Sequence, residues 1–151
     1  MERHEDRLWL RYYVECALAD LSLPDPEPAE RADGLWRQTC FELFIGSSAY
    51  SEFNFSPSSQ WAAYDFSGYR KGMRQRDLRG SPEIGLDVSE GHFALEADFE
   101  LAGLSGKLGL SAVMENRDGT KSYWALAHPP REPDFHHPTC FAATLPAPDR
   151  S

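Results

Sequence analysis

The chain has 151 residues, which is the length of one domain with a sizeable core. Its formal net charge of -9 argues against a nucleic-acid partner, because affinity for DNA or RNA depends on Lys and Arg that neutralise phosphates. No apolar run approaches the roughly 20 residues of a membrane helix, and the charged stretch 1–7 lacks the apolar core of a signal peptide. We therefore expect a cytoplasmic protein without a membrane partner.

Apolar and polar residues alternate with a period of two along most of the chain, and no helical stripe of three turns occurs. Two long strands are predicted, one around 7–15 and one at 92–101. Shorter strands are predicted at 38–46, 50–56, 61–66, 83–88, 108–115, 122–128 and 139–145. The sequence of residues 116–119 indicates a hairpin. This pattern predicts a single all-β domain over 1–151, an antiparallel β-sandwich of about nine strands with a jelly-roll-like arrangement.

Two polar stretches, 23–34 and 69–82, do not alternate and are predicted to be long loops. Loops of this length in a compact domain are more often functional than idle. The second contains the only concentrated positive segment, 70–76, for which a solvated loop is favoured over an anion site. The three cysteines lack CxxC spacing, so we expect reduced and mostly buried thiols without zinc.

The hairpin formed by 38–46 and 50–56 has a register that can be predicted. A three-residue loop places four apolar side chains on one face, whereas a slip of one residue would set Leu43 against Glu52. The predicted opposing pairs are Gly46 and Tyr50, Leu43 and Phe53, Phe41 and Phe55, Glu42 and Asn54, and Phe44 and Glu52. The second face, with Glu42 and Asn54, is then either a solvated outer face or a ligand surface.

The segments 36–44, 50–57 and 61–64 resemble the DOMON-like superfamily, and within it the branch similar to family 9 carbohydrate-binding modules. In that branch a D-x-x-E-x-F-I strand is followed by Y-x-E-F-x-x-x-P. The segments 122–129 and 133–138 are similar to a small bacterial subgroup of single-domain members. The resemblance extends over most of the chain. It implies an antiparallel β-sandwich that binds a ligand without catalysis, a sugar or, in other branches, haem.

The chain departs from the family pattern at two places. A further strand is expected before Leu8, so a truncated start with an open sheet edge is one expectation. The acidic residue expected ahead of the Glu42 strand is replaced by Gln38 or Thr39, which argues against a calcium ion.

Aromatic side chains near strand ends are candidates for stacking on the apolar face of a sugar ring. The resemblance favours Trp36 and Trp124 for this role, with Glu42, Asn54 and Arg70 as polar partners. The remaining predicted ligand-binding residues, from a stretch rich in His and Pro, are His128 and His137.

Hydrogen bonding or loop packing is favoured for these histidines over a metal or haem site. The alternative is His128 paired with His136 or His137, since adjacent histidines of an extended chain point in opposite directions. Met73 and Met114 are the thioethers that could complete a haem site, although Met114 is predicted to lie in the core.

Catalytic motifs are missing from the sequence. It has no G-x-S-x-G elbow and no Gly-rich phosphate loop before a helix, and the carboxylates of one hairpin do not indicate a glycosidase. The prediction is a non-catalytic domain without a cofactor that binds a carbohydrate or a similar polar small molecule. The alternatives are a haem-binding redox domain and a protein-interaction module that serves a neighbouring enzyme.

Overall fold

The computed structural model describes residues 1–101 and 103–148, and within them every regular element of more than three residues is a β-strand. The strands are β1 (Glu2–His4), β2 (Arg7–Glu15), β3 (Cys40–Gly46), β4 (Tyr50–Phe55), β5 (Trp61–Phe66), β6 (Arg74–Gln75), β7 (Glu83–Val88), β8 (His92–Glu100), β9 (Lys107–Glu115), β10 (Lys121–Ala125) and β11 (Ala143–Thr144). Short 3-10 helices occupy Leu18–Asp20, Leu35–Arg37 and Pro138–Cys140. Among the described residues, no helix has the length and apolar character needed to cross a membrane.

The strands form two antiparallel sheets. One has the order β1-β2-β8-β7, and the other has the order β10-β9-β3-β4-β5-β6 with β11 also paired to β9. The predicted all-β antiparallel sandwich is thereby confirmed. The part of the chain that is described contains eleven strands instead of about nine, because the short strands β1 and β6 lie where no strand was predicted.

Two predicted strands are shorter than their patterns suggested. The stretch 139–145 forms strand only at β11, since Pro138 begins a 3-10 helix that takes up residues 138–140. In the stretch 122–128 the strand ends at Ala125, four residues before Pro129 of the dipeptide Pro129-Pro130.

Apolar side chains of both sheets meet in a single core. Phe53 of β4 lies 4.8 Å from Phe99 of β8, and Phe41 of β3 lies 5.7 Å from Phe93 of β8, measured between ring centroids. These rings are fully or almost fully buried. Burying a Phe side chain contributes about 1.5–3 kcal/mol, so the inward direction of this face of β3 and β4 is strongly determined. The opposite face of the same two strands therefore points away from the sandwich core.

The outer face of the larger sheet is also covered. The 3-10 helix Leu35–Arg37 packs on β3 and β4, and the helix Pro138–Cys140 packs on β9. A second apolar cluster forms beneath these segments and consists of Phe44, Tyr50, Ala62, Tyr64, Phe66, Val113, Phe135, Cys140 and Phe141. Glu42 and Asn54 are only 3% and 1% exposed, so the alternative of a solvated outer face is wrong.

Close packing of the covering chain requires a glycine on β9. A Cβ atom at Gly109 would lie 2.6 Å from the backbone oxygen of Cys140, which is closer than such atoms approach. The chain between β10 and β11 can therefore lie directly on the sheet. Cys140 itself is a buried free thiol, as is Cys40, whereas Cys16 is partly exposed.

Candidate functional site

A cavity of about 850 Å³ lies on the outer face of the larger sheet. Its volume falls within the range of small-molecule sites. The sheet contributes a floor, and the covering segments and the loop that contains β6 contribute the walls. The lining includes Asp33, Trp36, Glu42, Glu52, Asn54, Tyr64, Phe66, Arg70, Met73, Val113, Tyr123, Asp134, Phe135 and His136.

Two glutamates lie next to each other on this floor. The register pairs Glu42 with Asn54 and Phe44 with Glu52, so the glutamates are diagonal neighbours on the same face of the sheet. The Ser111 hydroxyl on β9 donates to Oε2 of Glu42 over 3.3 Å. The Asn54 amide nitrogen donates to Oε1 of Glu52 over 3.1 Å in the orientation that satisfies both of its amide atoms.

Burial makes both carboxyl groups weak acids. For Glu42, burial raises the pKa well above 4.5, the nearby charge of Glu52 adds to the rise, and the Ser111 hydrogen bond opposes it. For Glu52, burial raises the pKa to about 7, against the opposing effects of the Asn54 hydrogen bond and the Arg70 charge. At neutral pH the pair consequently retains protons and can donate as well as accept hydrogen bonds.

His136 sits beside this pair as a neutral imidazole. The Tyr50 hydroxyl accepts a hydrogen bond from the backbone N–H of Arg70 over 3.1 Å and lies 2.7 Å from Nδ1 of His136. We therefore infer that the Tyr50 hydroxyl donates its hydrogen bond to Nδ1. The hydrogen of the neutral imidazole then lies on Nε2, which is 3.8 Å from Oε2 of Glu52. Burial and then the Arg70 charge lower the pKa of His136 to about 4, so this contact is not an ion pair at neutral pH.

A charged pair closes one side of the cavity. The guanidinium of Arg70 donates to Oδ1 of Asp134 over 2.7 Å, and the Tyr69 hydroxyl donates to Oδ2. Burial acts to raise the pKa of Asp134, but the hydrogen bonds from Tyr69 and Arg70 outweigh it and lower the pKa. Arg70 also has a φ of 53°, a conformation that costs free energy in a non-glycine residue and is held here by its contact with Tyr50.

Aromatic rings form much of the remaining wall and the rim. Trp36 is 52% exposed at the rim, with the Arg37 guanidinium 5.5 Å from its ring centroid. Tyr123 is 45% exposed, and its ring lies 6.1 Å from that of Phe135. Deeper in the cavity, the Tyr64 hydroxyl donates to Asp33 in the segment before Trp36. The cavity thus combines exposed aromatic faces with buried hydrogen-bonding groups.

The structure brings four of the seven predicted site residues together, because Trp36, Glu42, Asn54 and Arg70 all line the cavity. The other three lie elsewhere. Trp124 lines a separate, largely apolar cavity of about 550 Å³. Nδ1 of His137 accepts the backbone N–H of Thr139 over 3.1 Å and caps the helix Pro138–Cys140. The His128 ring lies 6.2 Å from Phe135, and His128 does not line the larger cavity.

Several residues of the cavity were not in the predicted set. The polar and aromatic residues among them include Glu52, Tyr64, Tyr123, Asp134 and His136. The alternation along β10 could have identified Tyr123. It pairs with Val113, whose side chain belongs to the second apolar cluster on the outer face of the sheet. The next residue, Trp124, pairs with Ala112 of the sandwich core and so lies on the opposite face. The segment that carries Asp134 and His136 has no periodicity, so although His136 was considered as a metal partner of His128, the alternation did not show which of its side chains face the cavity.

Of the His and Met side chains that were alternatives for metal or haem ligands, His136 and Met73 line the cavity, and His128, His137 and Met114 do not. Across 1–101 and 103–148, no three His, Cys, Asp or Glu side chains are grouped so that they could hold a metal ion. Met114 is packed in the sandwich core, as predicted. Met73 and His136 both line the cavity, but Nδ1 of His136 is hydrogen-bonded to Tyr50 and the ring is enclosed by Phe44 and Phe66 at 5.0 and 5.1 Å.

Comparisons with protein-family models, with curated proteins and with solved structures found no match to this chain. The function of the site is accordingly argued from its own geometry.

Proposed function

We propose that this protein is a non-catalytic binding protein for a carbohydrate or a similarly polar small molecule, which occupies the cavity on the outer face of the larger sheet. The main support is the combination of exposed aromatic rings with buried, largely protonated carboxyl groups in a cavity of about 850 Å³. A sugar presents C–H faces that pack on aromatic rings and hydroxyls that both donate and accept. The Glu42 and Glu52 carboxyls and the Asn54 amide can match such hydroxyls in both roles.

The arrangement of the carboxyl groups supports binding over hydrolysis. Glycosidases place two carboxylates on either side of the scissile bond, so that one protonates the leaving group while the other assists attack. Glu42 and Glu52 instead project from neighbouring strands in the same direction.

The resemblance to the DOMON-like superfamily and to family 9 carbohydrate-binding modules favours the same class of ligand. Three free thiols further support a reducing compartment such as the cytoplasm.

The proposal is tested by a thermal-shift screen against neutral and amino mono- and disaccharides, followed by calorimetry on each hit. Two exposed tryptophans provide a matched pair of variants, because Trp36 lines the cavity and Trp124 does not. Trp36→Ala should weaken binding at least tenfold, while Trp124→Ala should leave it unchanged. A screen without hits, or equal effects of the two variants, would refute the proposed site. A Soret band after addition of haemin would favour a haem-binding domain instead.

A further inference from the structure

We infer that the preferred ligand is an amino sugar whose ammonium group binds between Glu42 and Glu52. This inference rests on the proposed function, and it narrows the ligand class from carbohydrates in general to cationic sugars.

The acidic floor of the cavity lacks a basic partner. In the described part of the chain, no Lys or Arg forms an ion pair with Glu42 or Glu52. The arginines that line the cavity are engaged near its edge. Arg70 is paired with Asp134, and Arg74, whose side chain is 78% exposed, lies 3.9 Å from Asp65. Arg37 lies over the ring of Trp36. The charge of Arg70 acts on Glu52 and opposes the rise in its pKa, but Arg70 forms its ion pair with Asp134 and not with either glutamate.

Each buried carboxyl group keeps one oxygen for a ligand. Oε2 of Glu42 is occupied by Ser111, and Oε1 of Glu52 is occupied by Asn54. Within the described residues, no hydrogen bond is made to Oε1 of Glu42, and Oε2 of Glu52 is 3.8 Å from Nε2 of His136. Both glutamates line the cavity and are 3% and 6% exposed. An unpaired buried acid of this kind is costly unless a ligand supplies the missing donor or charge.

The walls suit an ammonium group as well. A cation near an aromatic face is attracted by the ring quadrupole, and more strongly where water is excluded. Tyr64 and Phe66 line the cavity and are each 6% exposed, while Trp36 lies at its rim. An ammonium group has three donors, enough for one oxygen of each glutamate and a further partner.

The other charged or titratable groups around Glu52 do not replace such a ligand. Glu42 on β3 adds negative charge, and the hydroxyls of Tyr50 and Tyr64 are neutral donors to His136 and Asp33. His136 is itself neutral, and the Arg70 charge is shared with Asp134. A bound ammonium would favour the ionised carboxylates, so its binding should release protons into the buffer near neutral pH.

The test is calorimetry at pH 6.5 with the β-1,4-linked glucosamine disaccharide and with its N-acetylated counterpart, which has the same rings and linkage but carries uncharged acetamide groups in place of the ammonium groups. We expect the amine to bind at least tenfold more tightly and to release protons, seen as a difference in heat between two buffers of unlike ionisation enthalpy. Glu42→Gln and Glu52→Gln should each reduce this preference, and the double variant should abolish it. Glu83→Gln, on the exposed strand β7 of the other sheet, serves as the control. Circular dichroism checks that each variant is folded.

The outcomes separate the two proposals. Equal affinity for the two disaccharides would overturn the inference and leave the proposed function intact. Failure of both disaccharides and of every neutral sugar to bind would overturn both. A preference for the amine that survives the double variant would also refute the inference, as would displacement of the amine by equimolar calcium, since the carboxyl pair would then be a metal site.

Discussion

Replacement of Glu52 by glutamine should make the protein more stable, and the gain should grow with pH. The variant keeps the shape of the side chain and an oxygen that can accept from Asn54. It removes only the ability to ionise. Glu52 is 6% exposed, and its burial outweighs the Asn54 hydrogen bond and the Arg70 charge, so its ionisation in the folded state is unfavourable.

The magnitude follows from the difference in acidity between the two states. The pKa of Glu52 is about 7 in the folded protein against 4.5 for an ordinary glutamate. Between these values the folded state binds more protons than the unfolded chain, so wild-type stability falls as pH rises. The free-energy gain from Glu52→Gln should be close to zero at pH 4, about 2 kcal/mol at pH 6 and about 3 kcal/mol at pH 8.

The titration of His136 is common to both proteins, whereas the pKa of Glu42 is raised less in the variant because the Glu52 charge is gone. The pKa of His136 is lowered to about 4, so the unfolded chain takes up its proton first and wild-type stability drops as pH falls below about 6.5. Comparing the variant with the wild type at each pH largely cancels this opposing effect. The assay is urea denaturation followed by circular dichroism at pH 4, 6 and 8, with Glu83→Gln as the exposed control. A stability difference that does not change with pH would refute the account of a buried, weakly acidic Glu52.

Three further substitutions test the packing around the cavity. Gly109→Ala should lower stability by about 1–3 kcal/mol in thermal or urea unfolding, because the new Cβ would clash with the backbone oxygen of Cys140 in the covering chain. Gly85→Ala is the control and should change stability far less, because no atom lies within 4 Å of its Cβ position. Tyr50→Phe should cost about 1–2 kcal/mol and change the tautomer signature of His136 in nitrogen NMR spectra, since Nδ1 loses its partner. Phe53→Ala should cost about 3–5 kcal/mol in urea unfolding, because its ring is fully buried between the sheets; a cost below 1 kcal/mol would contradict the assigned core.

Much of the fold could be predicted because one face of each central strand is apolar. The register of β3 and β4 was predicted correctly in all five pairs, since a slip of one residue would expose phenylalanines and bury polar groups on the core side. The same argument placed Glu42 and Asn54 together. It could not show whether that face is open or covered, because the covering chain comes from irregular segments distant in sequence.

The candidate site could be predicted only in part, because the irregular covering segments contribute many of its residues. Two choices between adjacent residues illustrate the limit. Tyr123 faces the larger cavity while Trp124 faces away from it, and His136 lines the cavity while His137 caps a helix. Alternation showed that neighbours point in opposite directions, but the direction toward the cavity depended on pairings and turns outside the hairpin.

The central claim is that the ligand binds in the larger cavity, on the outer face of the larger sheet. Proton–nitrogen NMR during titration with the glucosamine disaccharide tests this claim most directly. The two exposed tryptophans carry separate indole N–H reporters, at Trp36 on the rim of the cavity and at Trp124 outside it, where the indole donates to Ser122 over 2.9 Å. The account predicts saturable shifts at the Trp36 indole and at the amides of β3, β4 and β9, with the Trp124 indole unmoved. Shifts centred on Trp124, or no saturable shift at any sugar concentration, would contradict it.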